Sequence, residues 1–200
     1  MALELARRTG MVPTFSAAIS FDGGGYGVGL LSRERPVAVH RYPLPGREER
    51  RTLLVAEFKD YTVCCTHLSL TEEDCVASAE IICNVAKKLK HKPIFLMGDF
   101  NAETNSQQLK LLTRSHHLID RTAKLQPGTY KYQGEWSILD HILTHTTTLS
   151  HQQTRILTLP FLLEKDSPNG GEKPKRTYLG PAYKGGISDH LPVVATFQIK

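Results

Sequence analysis

The sequence predicts a single α/β domain, and two features of its middle third carry that prediction. Residues Ile94 to Gly98 are apolar or small and rich in β-formers, which is typical of a short strand buried on both faces of a sheet. A strand from Tyr61 to Leu68 and a helix that begins at the capping box Thr71-Glu72-Glu73-Asp74 precede it. A helical crossover of this length makes the two strands parallel if they share one sheet.

The N-terminal part of the chain is predicted to be mostly β structure. Leu3 to Arg8 has the pattern of a helix end stopped by Gly10. Val12 to Phe21 and Tyr26 to Ser32 read as two strands about a glycine-rich turn, so we expect a hairpin. The glycines match neither phosphate-loop pattern, and we interpret them as turn residues. A second hairpin is expected from Arg51 to Leu68.

Polar side chains stand where two of these strands end. His67 closes one strand, and Asp99 and Asn101 follow the next. If the strands are parallel, these residues share the rim where α/β sheets bind ligands, and an extended chain would point Asp99 and Asn101 the same way. Taken alone, the Asp-x-Asn pattern favours an ordinary Asx turn, and a lone histidine at a strand end is usually structural. A functional role therefore depends on partners that converge there.

The C-terminal half contributes further polar residues. Gly128 to Tyr132 and Trp136 to Thr144 are predicted as a hairpin, with Asp140 interrupting an apolar run in mid-strand. A buried carboxylate there needs a partner or a cavity, whereas His141 faces the opposite side and is interpreted as structural. Residues 160–186 are predicted as one long polar loop before the closing strand, and the serine that follows lacks the pattern of a nucleophile elbow.

Composition narrows the class of protein. The chain has 200 residues and a formal net charge of +5, which permits an anionic substrate without requiring one. No stretch approaches the roughly 18 apolar residues of a transmembrane segment, and the first residues do not form a signal peptide. The four cysteines make no CxxC pattern, so we expect buried thiols without disulfides. The sequence as given fits a cytoplasmic protein, or an exported one if a signal peptide precedes it.

Four short motifs resemble the endonuclease/exonuclease/phosphatase superfamily in order and approximate spacing. They are Thr66-His67-Leu68, Gly98-Asp99-Phe100-Asn101, Ile138-Leu139-Asp140-His141-Ile142 and Ser188-Asp189-His190-Leu191-Pro192. The resemblance covers nearly the whole chain, residues 1–200, as one domain. The segment after Gly128 further resembles a bacterial subgroup of the family. It implies a four-layer α/β sandwich of two mixed sheets flanked by helices, with the site at the edge where loops of both sheets meet.

The resemblance implies metal-dependent hydrolysis of a phosphate mono- or diester by an activated water. By the match, His190 is the general base, Asp140 orients and charge-stabilises it, and Asp189 helps to bind the metal. Imidazole titrates near neutral pH, which suits the first role. Mg²⁺, with Mn²⁺ as an alternative, is the expected cofactor because it prefers oxygen ligands.

The same match assigns the remaining site residues. Asp99 and Asn101 would position the nucleophile and a phosphate oxygen, and His67 would donate a hydrogen bond to the phosphate. The substrate class stays open among nucleic acid, an inositol phosphate and a phospholipid head group. The basic segment from Lys173 to Lys184, with Tyr178 and Tyr183, would suit nucleic acid. A monomer is expected.

The chain departs from the family pattern at its N-terminal end. Family members begin with two core strands, and the second of them ends in the Glu that is the main metal ligand. This chain begins at the helix that follows those strands. Glu4 lies within that helix and cannot take the role of the metal ligand. The sequence is therefore expected to lack those two strands. A fragment or mis-assigned start is favoured, because the His-Asp chemistry is intact. The alternatives are a working variant with a rebuilt metal site, a degenerate protein with little activity, a non-catalytic binder of a phosphorylated ligand, or a chain that does not fold stably.

Overall fold

The computed structural model describes residues 1–89, 92–116, 118–145 and 149–199. The helices are α1 (Ala2–Thr9), α2 (Glu72–Lys88) and α3 (Gln107–His116), with a 3-10 turn at Pro160–Leu162. The strands are β1 (Val12–Phe21), β2 (Gly24–Ser32), β3 (Ala38–Leu44), β4 (Arg51–Glu57), β5 (Thr62–His67), β6 (Ile94–Asp99), β7 (Leu118–Asp120), β8 (Tyr130–Tyr132), β9 (Glu135–Ser137), β10 (Asp140–His145), β11 (Leu149–Ile156), β12 (Leu163–Lys165), β13 (Glu172–Pro174), β14 (Tyr178–Leu179), β15 (Ala182–Tyr183) and β16 (Val193–Ile199).

A six-stranded mixed sheet forms the centre of the molecule, which confirms the predicted α/β class. Its strand order is β3-β4-β5-β6-β10-β7. Strands β5 and β6 are parallel and joined through α2, as the strand–helix–strand pattern predicted. The neighbouring pairs, including β6 with β10, are antiparallel. The carboxyl ends of β5 and β6 therefore lie beside the amino end of β10.

Two helices cover one face of this sheet. The apolar residues Ala79 and Ile82 of α2 and Leu109 and Leu112 of α3 are buried against the sheet, where they join Leu96 and its neighbours in one core. Their spacing of three residues places each pair on one face of its helix, so that the polar residues face solvent. Burial of this face fixes β5 and β6, and with them the rim at which both strands end.

The opposite face, where the resemblance implies the second sheet of the sandwich, is covered by two two-stranded sheets. Strand β2 pairs with β1 and strand β16 with β11, and within the described part of the chain neither has a second strand neighbour. Val28 of β2 packs on β4 and β5, whereas the ring of Phe197 of β16 lies 5.2 Å from that of Phe95. A groove of about 480 Å³ separates the two sheets, lined by Met97 and Ile142 among others.

The predicted strand from Trp136 to Thr144 is in fact two strands. Strand β9 pairs with β8, and β10 begins at Asp140 in the central sheet, so that this residue opens a strand rather than interrupting one. The break occurs because the backbone N–H groups of Leu139 and Asp140 donate to the Thr129 hydroxyl, at 3.1 and 3.2 Å. The long loop predicted over residues 160–186 likewise contains two short hairpins, β12–β13 and β14–β15.

Several smaller expectations are met. The first helix ends at Gly10, whose left-handed φ of 68° terminates it as predicted. The four cysteines, Cys64, Cys65, Cys75 and Cys83, are buried and outside any disulfide. None of the described helices combines the length and apolar character that a bilayer crossing needs.

Candidate active site

Three strand ends bring the predicted site residues to one rim. In the register of the sheet, His67 at the end of β5 lies opposite Asp99 at the end of β6, and Asp99 lies opposite Asp140 at the start of β10. His190 reaches the same place from the segment before β16, through a bridge to Tyr130. The convergence of His67, Asp99, Asp140 and His190 is thus fixed by backbone pairing.

An aspartate–histidine pair occupies the middle of this rim. The Nδ1–H of His190 donates to Oδ2 of Asp140 at 2.7 Å, and both side chains are about three-quarters buried. Burial opposes the protonated form, but the hydrogen bond and charge of Asp140 outweigh it and raise the pKa of His190. Because Nδ1 carries the proton, Nε2 of the neutral ring is the basic atom. The ring of Tyr130 packs 4.9 Å from the imidazole and holds its plane.

Asp99 lies between the two histidines. Its Oδ2 is 3.4 Å from Nε2 of His67 and 4.0 Å from Nε2 of His190. Burial and the nearby negative charge of Asp140 raise the pKa of Asp99, although the backbone N–H of Asn101 partly offsets this. Two carboxylates are therefore held close together at some electrostatic cost.

Arg51 is a site neighbour that the sequence analysis did not identify. Its guanidinium is buried, pairs with Glu48 and Glu49, and donates to Nδ1 of His67 at 3.3 Å. Arginine is only a donor, so Nδ1 accepts and the neutral ring carries its proton on Nε2. Burial lowers the pKa of His67, and the charge of Arg51 adds to this against the opposing charge of Asp99. The available signal in the sequence was that Arg51, a charged residue, stands at the start of a mostly apolar strand.

Asn101 forms the turn that the sequence offered as the plain alternative. Its backbone N–H donates to Oδ1 of Asp99 at 2.8 Å, and its φ of 47° turns the chain instead of extending it. The carboxamide Nδ2 donates to the carbonyl of Leu68 at 2.9 Å, just beyond β5. Asn101 thus ties the ends of β5 and β6 together within the site.

Asp189 lies at the margin of the site. Its carboxylate is half-exposed and 4.0 Å from Nη2 of Arg176, a member of the predicted basic segment whose place beside the site was not predicted. It is not among the three groups that converge most closely, so its role as a metal ligand stays a prediction. Glu4 lies in α1, where it is exposed and pairs with Arg7 and Arg8.

Three side chains could hold a divalent metal. Asp99, Asp140 and His190 each offer one ligand atom, and these atoms lie within 4.8 Å of one another. Carboxylate oxygens suit Mg²⁺, and a mixed set with an imidazole suits Mn²⁺ as well. Burial and, after it, the charge of Asp140 raise the pKa of Asp99, and a bound cation would counteract both by favouring the carboxylate. The donor set therefore fits the predicted metal.

A buried histidine lies directly behind this rim. His141 follows Asp140 and is 1% exposed. Its Nδ1–H donates to Oδ2 of Asp120 and its Nε2–H to the carbonyl of Ala102, both at 2.8 Å. With a proton needed on each nitrogen, the ring is an imidazolium, and the Asp120 carboxylate raises the pKa of His141 against the effect of burial. This pair joins β7, β10 and the turn after Asn101.

Gly98 allows the close approach of β5 and β6 that places His67 beside Asp99. Its φ is +146°, and a Cβ there would lie 1.8 Å from the carbonyl oxygen of Thr66. We expect Gly98→Ala to lower the free energy of unfolding by about 3 kcal/mol, because the strands must separate. Urea denaturation measures this. Gly24→Ala is the matched control, with its nearest contact at 3.7 Å. A Gly98→Ala loss equal to that of the control would contradict the explanation.

A family model and a curated protein both match this chain. The model of a family described as "Endonuclease/Exonuclease/phosphatase family" matches residues 71–199. "Protein angel" of Drosophila melanogaster is 26% identical over 187 residues, covering 86% of this chain and 49% of the relative, so the chain spans about half the length of that curated relative.

Solved structures share the fold at lower identity. An endonuclease/exonuclease/phosphatase from Bacteroides vulgatus superposes with a TM-score of 0.72 at 16% identity, covering 99% of this chain and 80% of that one. A mannosyl-6-phosphatase from Bacteroides thetaiotaomicron gives 0.67 at 19% identity, covering 94% and 77%. The fold of the chain is thus that of these proteins.

Proposed function

Because the chain belongs to the endonuclease/exonuclease/phosphatase family, we propose that it is a metal-dependent phosphoesterase in which His190 activates the attacking water. Members of the family are phosphoesterases or nucleases and generally depend on a divalent metal. The observation that carries the proposal is the hydrogen bond between His190 and Asp140, with the basic nitrogen of His190 turned toward Asp99. An imidazole held in one tautomer beside a carboxylate cluster is suited to proton abstraction.

Each side chain at the rim has a separate task in this reaction. His190 Nε2 takes a proton from water, and the Asp140 carboxylate stabilises the imidazolium that results. The Nε2–H of His67, fixed by Arg51, is a donor for a phosphate oxygen. Mg²⁺ or Mn²⁺, held by Asp99 and Asp140, would neutralise charge on the phosphoryl group.

Metal uptake and turnover together test the proposal. We expect the metal-stripped protein to be inactive on p-nitrophenyl phosphate and bis(p-nitrophenyl) phosphate, and added Mg²⁺ or Mn²⁺ to restore hydrolysis. Calorimetry should show Mg²⁺ binding at about 1 mM or tighter, weakened about tenfold or more in Asp99→Asn because one of two carboxylates is lost.

The matched control is Asp60→Asn, which changes an exposed aspartate in the turn between β4 and β5 and should bind Mg²⁺ as the wild type does. Hydrolysis that continues in the presence of a chelator would contradict a metal-dependent reaction. Metal uptake without any hydrolysis would instead identify a binder of phosphorylated ligands.

A further inference from the structure

A second groove adjoins the candidate active site. It has a volume of about 370 Å³ and runs from Asp189 between the β8–β9 turn and the segment that holds β12 to β15. Its charged lining comprises four basic side chains, Lys131, Lys173, Arg176 and Lys184, and three acidic ones, Glu164, Asp166 and Asp189. Asp189, which precedes His190 in the chain, lines this groove, so the groove adjoins the rim.

The basic residues at the inner end of the groove are already neutralised. Lys131 is buried and pairs with Asp166 at 3.2 Å, and Lys173 lies 3.6 Å from the same carboxylate. Lys131 also donates to the carbonyl of Gly170 at 2.9 Å. These contacts hold the β8–β9 turn against the hairpins, so the groove has a fixed wall.

The basic residues nearer the catalytic rim are placed differently. Nη2 of Arg176 is 3.3 Å from the hydroxyl of Tyr130, whose ring packs on His190, and 4.0 Å from Asp189. Lys184 is exposed on the same lining. Arg176 therefore places positive charge beside the tyrosine that packs on His190, and Lys184 adds positive charge to the same groove.

An aromatic hairpin adjoins this groove. Tyr178 and Tyr183 face each other across β14–β15 with ring centroids 5.5 Å apart, and they are 59% and 68% exposed. The base of the hairpin is fixed, since Thr177 donates its hydroxyl to the carbonyl of Ile187 at 2.6 Å. Two large apolar rings held in water by a fixed scaffold indicate a binding surface.

We propose that this groove and hairpin bind a single-stranded polynucleotide adjoining the reacting phosphate. Arg176 and Lys184 take a neighbouring backbone phosphate, and Tyr178 and Tyr183 stack on bases, the combination that single strands require. A small phosphate ester offers no second phosphate and base to use both features. The inference rests on the proposed function only for the position of the reacting phosphate.

Binding is measured without turnover. A fluorescein-labelled, mixed-sequence DNA dodecamer is titrated with the full chain in chelator, and anisotropy gives Kd. We expect Tyr178→Ala/Tyr183→Ala to raise Kd by about tenfold or more, because base stacking is lost. Tyr178→Leu/Tyr183→Leu keeps apolar bulk on the hairpin and should bind as weakly. Arg176→Gln should reduce the dependence of log Kd on log salt concentration by about one unit.

Phe21→Ala/Tyr26→Ala is the matched control, because it removes another exposed aromatic pair from a hairpin tip, and it should leave Kd unchanged. Equal Kd values for the wild type and both tyrosine variants overturn the inference. So does the absence of DNA binding together with tyrosine-dependent binding to phosphatidylserine vesicles, which identifies a membrane surface. Wild-type hydrolysis of bis(p-nitrophenyl) phosphate separates these failures from failure of the phosphoesterase proposal itself.

Discussion

Replacing His190 with glutamine is expected to lower kcat for phosphodiester hydrolysis by about 10³-fold, the scale of one general base. Glutamine keeps the size and polarity of the side chain but cannot take a proton from water. KM should change little, since the base contributes mainly in the transition state. Steady-state kinetics on bis(p-nitrophenyl) phosphate with saturating Mg²⁺ measures both constants.

The partner variant shows whether the pair acts as a unit. Asp140→Asn leaves the ring near its position but removes the charge that stabilises the imidazolium and one of the two proposed metal carboxylates, so kcat should fall by at least a similar factor. The double variant should be no slower than the slower single variant, because groups that act together are not additive. His151→Gln changes an exposed histidine of β11 bonded to Thr154 and should keep full activity. A His190→Gln enzyme within tenfold of the wild type would exclude this residue as the base.

Replacing His141 with leucine is expected to lower the free energy of unfolding by about 4 kcal/mol. The Asp120 carboxylate, whose side chain is 6% exposed, would lose its charged partner, and the carbonyl of Ala102 would lose its donor. Urea denaturation with an unchanged m-value measures the loss. Asp120→Leu/His141→Leu should recover part of it, because no buried charge is then left alone.

The surface pair of His40 and Glu57 provides the control. It has a comparable length of 2.9 Å, but the His40 side chain is 46% exposed, so His40→Leu should cost less than about 1 kcal/mol. Equal losses of unfolding free energy at the two sites would refute the importance of burial.

The buried pair of Asp120 and His141 also predicts how the free energy of unfolding falls at acid pH. Burial would raise the pKa of Asp120, but the hydrogen bond from His141 outweighs burial and lowers it. The Asp120 carboxylate therefore contributes its full share of the unfolding free energy above the usual aspartate pKa. That share is lost as pH falls through the lowered pKa of the folded state.

His67 and Asp99 were predictable because each stands at the end of a locally encoded strand. The apolar run before Asp99 and the capping box that begins α2 are short-range signals, and together they require His67 and Asp99 to meet. Asp140 stood out as a carboxylate in an apolar run, but its pairing with His190 came from the resemblance of motifs, since no local pattern relates residues fifty positions apart. The structure brings all four together.

The parts that escaped prediction depend on contacts between distant segments. The hydroxyl of Thr129 captures two backbone N–H groups and splits one predicted strand in two, which no periodicity in that strand reveals. Arg51 reaches His67 only because β4 and β5 are neighbours in the sheet. Arg176 belongs to a polar segment whose short hairpins have too few residues to show alternation.

The gap between β2 and β16 links solubility to catalysis. Both strands present main-chain donors and acceptors along borders that no other described strand covers, and such borders are templates for intermolecular pairing. Glycine-rich β2 lacks the charged side chains that usually discourage this. The same groove is lined by Asp140 and His190, so any chain that adds a strand there would sit against the pair that we propose activates water. Self-association at high concentration would therefore also block the proposed reaction.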